Sequence, residues 1–348
     1  MKHPITIIST DWHLKQDNIK QLKFLITQKC ELAQELGVKT VFCLGDIFES
    51  RTGQQQETLA SLSEILEIFE EYQIQLIAIP GNHDKNFYTS AKSYLIPYKH
   101  HPYFHLVSES MDFAIEDVNF CLLPYFKENL WLEKYKKLTL PEVSLMRKGK
   151  KNIFLSHIAM NGSVNNDGSK VACNISVGDF REWDLVLLGH YHNAQQVGVN
   201  VFHIPSIQQN NFGENPEKGF TVVYDDCSTE LVKSDFKEFE KITINLDTIS
   251  KTDFNTLIKT HSNSDKNIRF ELIGSTDKVK SINKEELGAL GISVSIKVKE
   301  IEDTIEYAEQ EIKEFNSTNI IDEFAEFCKE KEKDYDKGVI YLQKKLAV

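Results

Sequence analysis

Short apolar runs alternate with longer stretches whose apolar residues recur at helical spacing. The runs at 5–9, 39–44 and 74–79 read as buried strands. Between them, 18–36 reads as a helix ended by Gly37, and 57–72 as another, with Leu59, Leu62, Leu66 and Phe69 on one face. Further strands are predicted at 119–123, 152–155, 185–188, 199–204 and 220–224. This is the pattern of a layered α/β domain over residues 1–235. From about residue 236 the character changes. Strands at 241–246, 268–273 and 294–298 enclose helical segments at 253–260 and 283–290, a small α/β module within 236–299 with no cluster of metal-binding residue types. Residues 300–348 read as a charged linker helix, 300–315, and two closing amphipathic segments, 319–332 and 337–346. Ile320, Ile321, Phe324 and Phe327 line one face of the first; Val339, Leu342 and Leu346 line one face of the second. Such stripes either cover the chain's own core or dock a partner helix.

Composition points to a soluble enzyme. The 348 residues are 41% hydrophobic, ample for one large domain and a smaller one, and no apolar stretch reaches membrane-span length. The start enters a strand at once, unlike a signal peptide. The six cysteines are dispersed, without a Cys-x-x-Cys pair, as in a reducing cytoplasm. The net charge is −12, and residues 300–348 carry 14 acidic against 7 basic side chains, so most of the imbalance sits there. An acidic chain gains little from counterion release on a polyanion. A nucleic-acid substrate would therefore be gripped by metals, by another subunit, or by basic stretches at 134–137 and 147–151, which a solvated surface explains equally well.

Five short motifs carry the chemistry, each at the end of an apolar run: Asp11-Trp-His13, Gly45-Asp46-Ile-Phe-Glu49, Gly81-Asn82-His83-Asp84, Ser156-His157 and Gly189-His190-Tyr-His192. A two-metal hydrolase needs cations about 3.5–4 Å apart, hence one bridging carboxylate and further ligands that leave positions open. Asp46 suits the bridge. Asp11, His13 and His192 would complete one shell, and Asn82, His157 and His190 the other. This mixture of imidazole, carboxylate and amide oxygen suits Mn²⁺, Fe or Zn²⁺ better than Ca²⁺ or Mg²⁺. His83 is left over beside a ligand, placed to protonate a leaving oxygen, and Asp84 could hold its ring. Glu49 either orients a ligand or points to solvent. The cluster His100, His101 and His105 reads as a surface loop, His203 as a core residue or a support to a ligand, and 165–169 as a flexible loop.

The motifs resemble those of the calcineurin-like metallophosphoesterase superfamily. In detail they are most similar to the SbcD-type double-strand-break repair nucleases, above all the short phage recombination-nuclease subunit. The resemblance is carried by Thr10-Asp11-Trp12-His13-Leu14, Gly45-Asp46-Ile47-Phe48 and Ser156-His157-Ile-Ala-Met-Asn161-Gly162, and downstream by Ile204-Pro205-Ser206 and Lys218-Gly219-Phe220. It spans about 1–235; beyond that only the layout agrees. The resemblance implies a β-sandwich flanked by helices, a capping domain and C-terminal partner-binding helices. It also implies two divalent ions, Mn²⁺ foremost, DNA as substrate, a homodimer, and a coiled-coil ATPase partner of the SbcC type. Glu49 departs from the many members that carry His there. Protein phosphatases of the superfamily would need Asp-Arg-Gly and Asn-His-Glu, where this chain has Glu49-Ser50-Arg51 and Asn82-His83-Asp84. The alternatives are a small-molecule phosphodiesterase or nucleotidase, and a non-catalytic scaffold with a retained fold.

Overall fold

The first strand divides its apolar residues between two cores, by alternation at positions 7 and 8 and by a register shift between Pro4 and Thr6 that turns Ile5 to the side of Ile8. Ile7 faces helices, while Ile5 and Ile8 face a second sheet. The computed structural model of the chain describes residues 2–139, 149–165 and 168–298. The closing segments expected at 300–348 lie outside the described residues, as do the start of the 147–151 stretch and the middle of the 165–169 loop.

The first sheet runs in the order β12-β11-β1-β2-β3-β4. It contains β1 (Pro4–Ser9), β2 (Thr40–Cys43), β3 (Gln75–Ala78), β4 (Phe104–Leu106), β11 (Gly219–Tyr224) and β12 (Thr229–Lys233). The neighbours from β1 to β4 are parallel, and β11 returns antiparallel beside β1. The second sheet, β5-β6-β7-β8-β10-β9, has a parallel centre. Its strands are β5 (Met111–Ile115), β6 (Val118–Leu123), β7 (Lys151–His157), β8 (Leu185–Gly189), β9 (Gln195–Gln196) and β10 (Val201–His203). Phe42, Ile77, Phe120, Leu155 and Leu187 fill the space between the sheets. Helices α1 (Ile19–Glu35) and α2 (Gln56–Glu71) cover the outer face of the first sheet, and α3 (Glu128–Leu138) covers the second. The architecture is a sandwich of two sheets flanked by helices, the layered α/β domain that the hydrophobic pattern predicts in the form that the resemblance implies. The structure adds elements that the pattern does not predict. The sequence reading has α3 only as a basic stretch, although Trp131, Tyr135 and Leu138 follow helical spacing and are buried. The edge strands β4, β5, β9 and β12 leave a weak signal because edges bury little.

Residues 239–298 form a separate parallel sheet, β13 (Phe239–Asn245), β14 (Asn267–Gly274) and β15 (Ile292–Val298), with α4 (Lys251–His261), α5 (Thr276–Lys280) and α6 (Lys284–Ala289). Phe270, Leu272, Ile244 and Leu287 form its own core. It falls within the same compact unit as the sandwich, Met1–Lys299. The connection is specific: Phe239 N donates to Gln209 Oε1 at 2.8 Å, and Phe212 packs edge-on against Phe239 and beneath Arg269. Among the described residues no helix is long and apolar enough to cross a membrane.

Candidate metal centre

The carboxyl ends of β1, β2, β3, β7 and β8 meet at one edge of the sandwich, so five motifs distant in sequence converge there. The loops after β1 and β2 are zipped together: Asp11 N donates to Gly45 O, His13 N to Asp46 O and Leu14 N to Ile47 O. This geometry forces unusual backbone. Asp11, His13, Asp46 and His190 have φ of 54°, 49°, 51° and 95°, in the left-handed region that non-glycine residues avoid. The neighbouring glycines make room. A Cβ at Gly81 would stand 2.1 Å from Asp46 Oδ1, and one at Gly189 2.3 Å from Thr10 Oγ1.

All seven expected ligand residues come together in two sets. In the first, His13 Nε2 and His192 Nε2 lie 2.9 Å apart, and each faces Asp11 Oδ1, at 3.7 and 3.6 Å. In the second, Asn82 Oδ1 lies 3.1 Å from His157 Nε2 and 2.9 Å from His190 Nδ1. Asp46 Oδ2 stands between them, 3.3 Å from His157 Nε2 and 4.0 Å from His13 Nε2. Donor atoms about 3 Å apart match the edges of a coordination shell with bonds of about 2.1 Å. Asp11 Oδ1 is buried and accepts no hydrogen bond, while Asp11 Oδ2 accepts from Thr10 Oγ1 and His190 N. A buried carboxylate oxygen facing two imidazole nitrogens without a proton donor fits a cation. The residues present therefore fit two divalent ions.

The outward ring atoms are held as metal-binding imidazoles require. His157 Nδ1 donates to Leu44 O at 2.7 Å, and His192 Nδ1 to Glu214 Oε1 at 2.7 Å. Glu49 Oε2 lies 2.7 Å from His13 Nδ1, though not aligned with the ring N–H as a hydrogen bond would be. Glu49 thus faces a ring of the site, and that contact holds its carboxyl down at about 2. Burial by itself would lower the pKa of His13 and His157. Asp11 and Glu49 around the first, and Asp46 beside the second, pull them up to about 10 and about 9. Burial pushes Asp46 up, but the charge and hydrogen bond of His157, joined by the charge of His13, together hold it below the usual carboxylate range. The two carboxylates draw positive charge into this edge, a demand that protons and divalent cations both meet.

His83 lies outside the two sets but beside them, with Nε2 3.9 Å from Asp46 Oδ2. Distance alone would also let it share a cation with His13 and Asp46. Both its ring nitrogens are engaged elsewhere: Nδ1 donates to Glu49 O at 2.5 Å, and Nε2 accepts from Arg51 Nη2 at 2.7 Å. The expected support from Asp84 is corrected. The Asp84 carboxylate accepts from the backbone N–H groups of Gly81, Ile47 and Phe48, tying the loops after β2 and β3 together. Burial, reinforced by the charge of Asp46, pushes it up to about 6. Two residues escape the sequence reading. Arg51 enters it only as a departure from the phosphatase motif. Glu214 lies in a loop with no local signal, and there Lys218 Nζ pairs with it at 3.1 Å. His203 is a support: Nδ1 donates to Gly189 O and Nε2 accepts from Ser163 Oγ. His100, His101 and His105 take no part in any metal-binding cluster among the described residues.

Among solved structures the chain is similar to a dimetal phosphatase from Danio rerio, 11% identical over 64% of this chain and 93% of that one, with a TM-score of 0.41. It is also similar to nuclease MPE from Pseudomonas putida, 15% identical over 57% of this chain and 67% of that one, with a TM-score of 0.27. No curated protein sequence matches it. The calcineurin-like phosphoesterase model matches residues 4–194, more than half of the chain, and the protein therefore belongs to that family of metal-dependent phosphoester hydrolases.

Proposed function

We propose that the protein is a Mn²⁺-dependent DNA phosphodiesterase, the nuclease subunit of a recombination and repair complex. The observation that carries phosphodiester chemistry is the placement of His83, beside Asp46 yet outside both donor sets, with its Nδ1 fixed by Glu49 O. When bound, two divalent cations neutralise the phosphoryl oxygens and activate the attacking water. The chain's own residues do the rest. Asp46 holds the two sets in register. Arg51 leaves His83 Nε2 for a non-bridging phosphoryl oxygen, the freed Nε2 takes up a proton from solvent, and the resulting imidazolium, its Nδ1–H still held by Glu49 O, delivers that proton to the departing 3′ oxygen. Nucleic acid rather than a phosphoprotein is favoured by the motif spelling around Asp46, Asn82 and His157. The module at 239–298 adds support. It packs on the 209–212 segment, two residues before Glu214, giving a long substrate a second wall that a nucleotide does not need.

In the same reading the chain works as a homodimer, and the apolar stripe of Ile320, Ile321, Phe324 and Phe327 docks a coiled-coil ATPase. The test is cleavage of linear duplex, hairpin and single-stranded DNA with Mn²⁺ or Mg²⁺, with and without such an ATPase. Metal-dependent cleavage of polynucleotide is expected. Hydrolysis confined to free nucleotides or small phosphodiesters would replace this reading with the small-molecule one.

A further inference from the structure

Beside the second donor set stands a group of aromatic rings that the chemistry above does not use. The Tyr125 ring lies 6.3 Å from that of His190, with only 20° between their planes, and 6.2 Å from that of His157. Tyr88 meets Tyr125 edge-on at 5.2 Å. Both tyrosines are half-buried, and next to Tyr88 in sequence Phe87 is 71% exposed. Among the described residues neither tyrosine hydroxyl makes a hydrogen bond, so the rings are not placed for their polar ends.

Their mounting is rigid. Tyr125 N donates to Pro80 O and Lys127 N to Tyr88 O, which ties both segments to the loop after β3. Beneath them Lys85 is buried, with Nζ donating to Tyr125 O at 2.6 Å and to Ser90 O at 3.2 Å, over the Phe126 ring at 3.8 Å. Removing an ammonium group from water is costly, and burial pulls this lysine down to about 8. Apolar packing would secure an ordinary core without that cost. Here the buried lysine pins two backbone segments so that their rings stay fixed at the rim of the reacting centre.

We propose that Tyr125 and Tyr88, with Phe87 beside them, form a stacking platform for the base next to the scissile phosphodiester, and that the preferred substrate is an unpaired nucleotide end. The inference rests on the nuclease reading and deepens it. Every base has a π-face, so a platform of this kind grips any sequence, but it needs the base out of the duplex stack. Stacking also supplies affinity without positive charge, which suits a chain of net charge −12.

The test uses the full-length protein with Mn²⁺ and two single strands, identical except that one has abasic sites at its terminal positions. Wild type should cleave the base-bearing strand with kcat/KM on the order of tenfold higher. Tyr125→Leu and Tyr88→Leu should bring the ratio close to one, and Tyr125→Phe, which keeps the ring, should retain it. Should Tyr125→Leu fold poorly, Tyr88→Leu and the exposed Phe87→Ala carry the same measurement. A wild-type ratio of one, or a ratio unchanged in the leucine variants, overturns the platform. Failure of wild type to cleave either strand while it cleaves linear duplex also overturns the platform, whereas failure on single strands and duplex alike would sink the nuclease reading itself.

Discussion

The metal-bearing edge of the sandwich and the module at 239–298 follow opposite local rules. In the module, β14 alternates buried and half-buried positions without a break. Two of its three helices begin under ordinary caps, with Ser250 Oγ accepting from Asp253 N and Asn283 Oδ1 from Glu286 N. Its charges pair at the surface, as Lys266 does with Glu238 and Lys297 with Glu271. At the sandwich edge, four non-glycine residues adopt left-handed backbone, two carboxylates lie buried within a few ångströms, and Lys85 and Lys218 are fully enclosed. A region that holds no donor atoms keeps to local preference. A region that must hold donor atoms in one geometry departs from it and depends on the surrounding core.

The comparison breaks most sharply at Asp46. Asp46→Ala should weaken both metal sites together and cut hydrolysis on the order of a thousandfold or more, whereas His13→Ala should weaken mainly one site. Titration calorimetry with Mn²⁺ on both variants decides it; equal, partial losses would remove Asp46 from its bridging place. Next in size is His83→Ala, expected to lower the turnover rate about 10²–10⁴-fold with both metals retained, since the ring lies outside the two donor sets. Metal content of the purified variant is the check, and loss of a full equivalent would move His83 into the coordination shell.

In the module the expected damage is of another kind. Phe270 is fully buried, and Phe270→Ala should cost about 3–5 kcal/mol of stability while metal content stays unchanged. Thermal melting with metal analysis tests this, and depleted metal in a folded variant would show that the two regions are not separable. The smallest expected effect is that of Glu214→Gln, which keeps the shape of the side chain but removes the charge that orients His192. The affinity of the site containing His192 should fall about 10–100-fold, with the other site spared. Unchanged affinity at both would reduce Glu214 to a partner of Lys218.

The donor residues and most strands were legible in the sequence because both are local signals. A buried strand announces itself as an apolar run, and the donor types cluster at its end, where the chain must turn. Residues 5–9, 39–44 and 74–79 therefore appear as β1, β2 and β3 within a residue at either end. The same locality explains the errors. Asp84 stands next to His83 in sequence, but successive side chains of that loop point apart, so the carboxylate reaches the backbone of another loop instead of the neighbouring ring.

What only the tertiary structure decided is the support around the donors. Glu214 follows His192 by 22 residues and meets it because the chain returns through the loop before β11. Arg51 meets His83 across 32 residues, and Lys85 reaches Tyr125 across 40. None of these pairs leaves a periodicity or a motif, since each is made by packing two loops against one core. The sequence by itself determined which atoms can bind and roughly where the strands end. The fold decided which of those atoms face one another, because only the packed sheets bring their edges within a few ångströms.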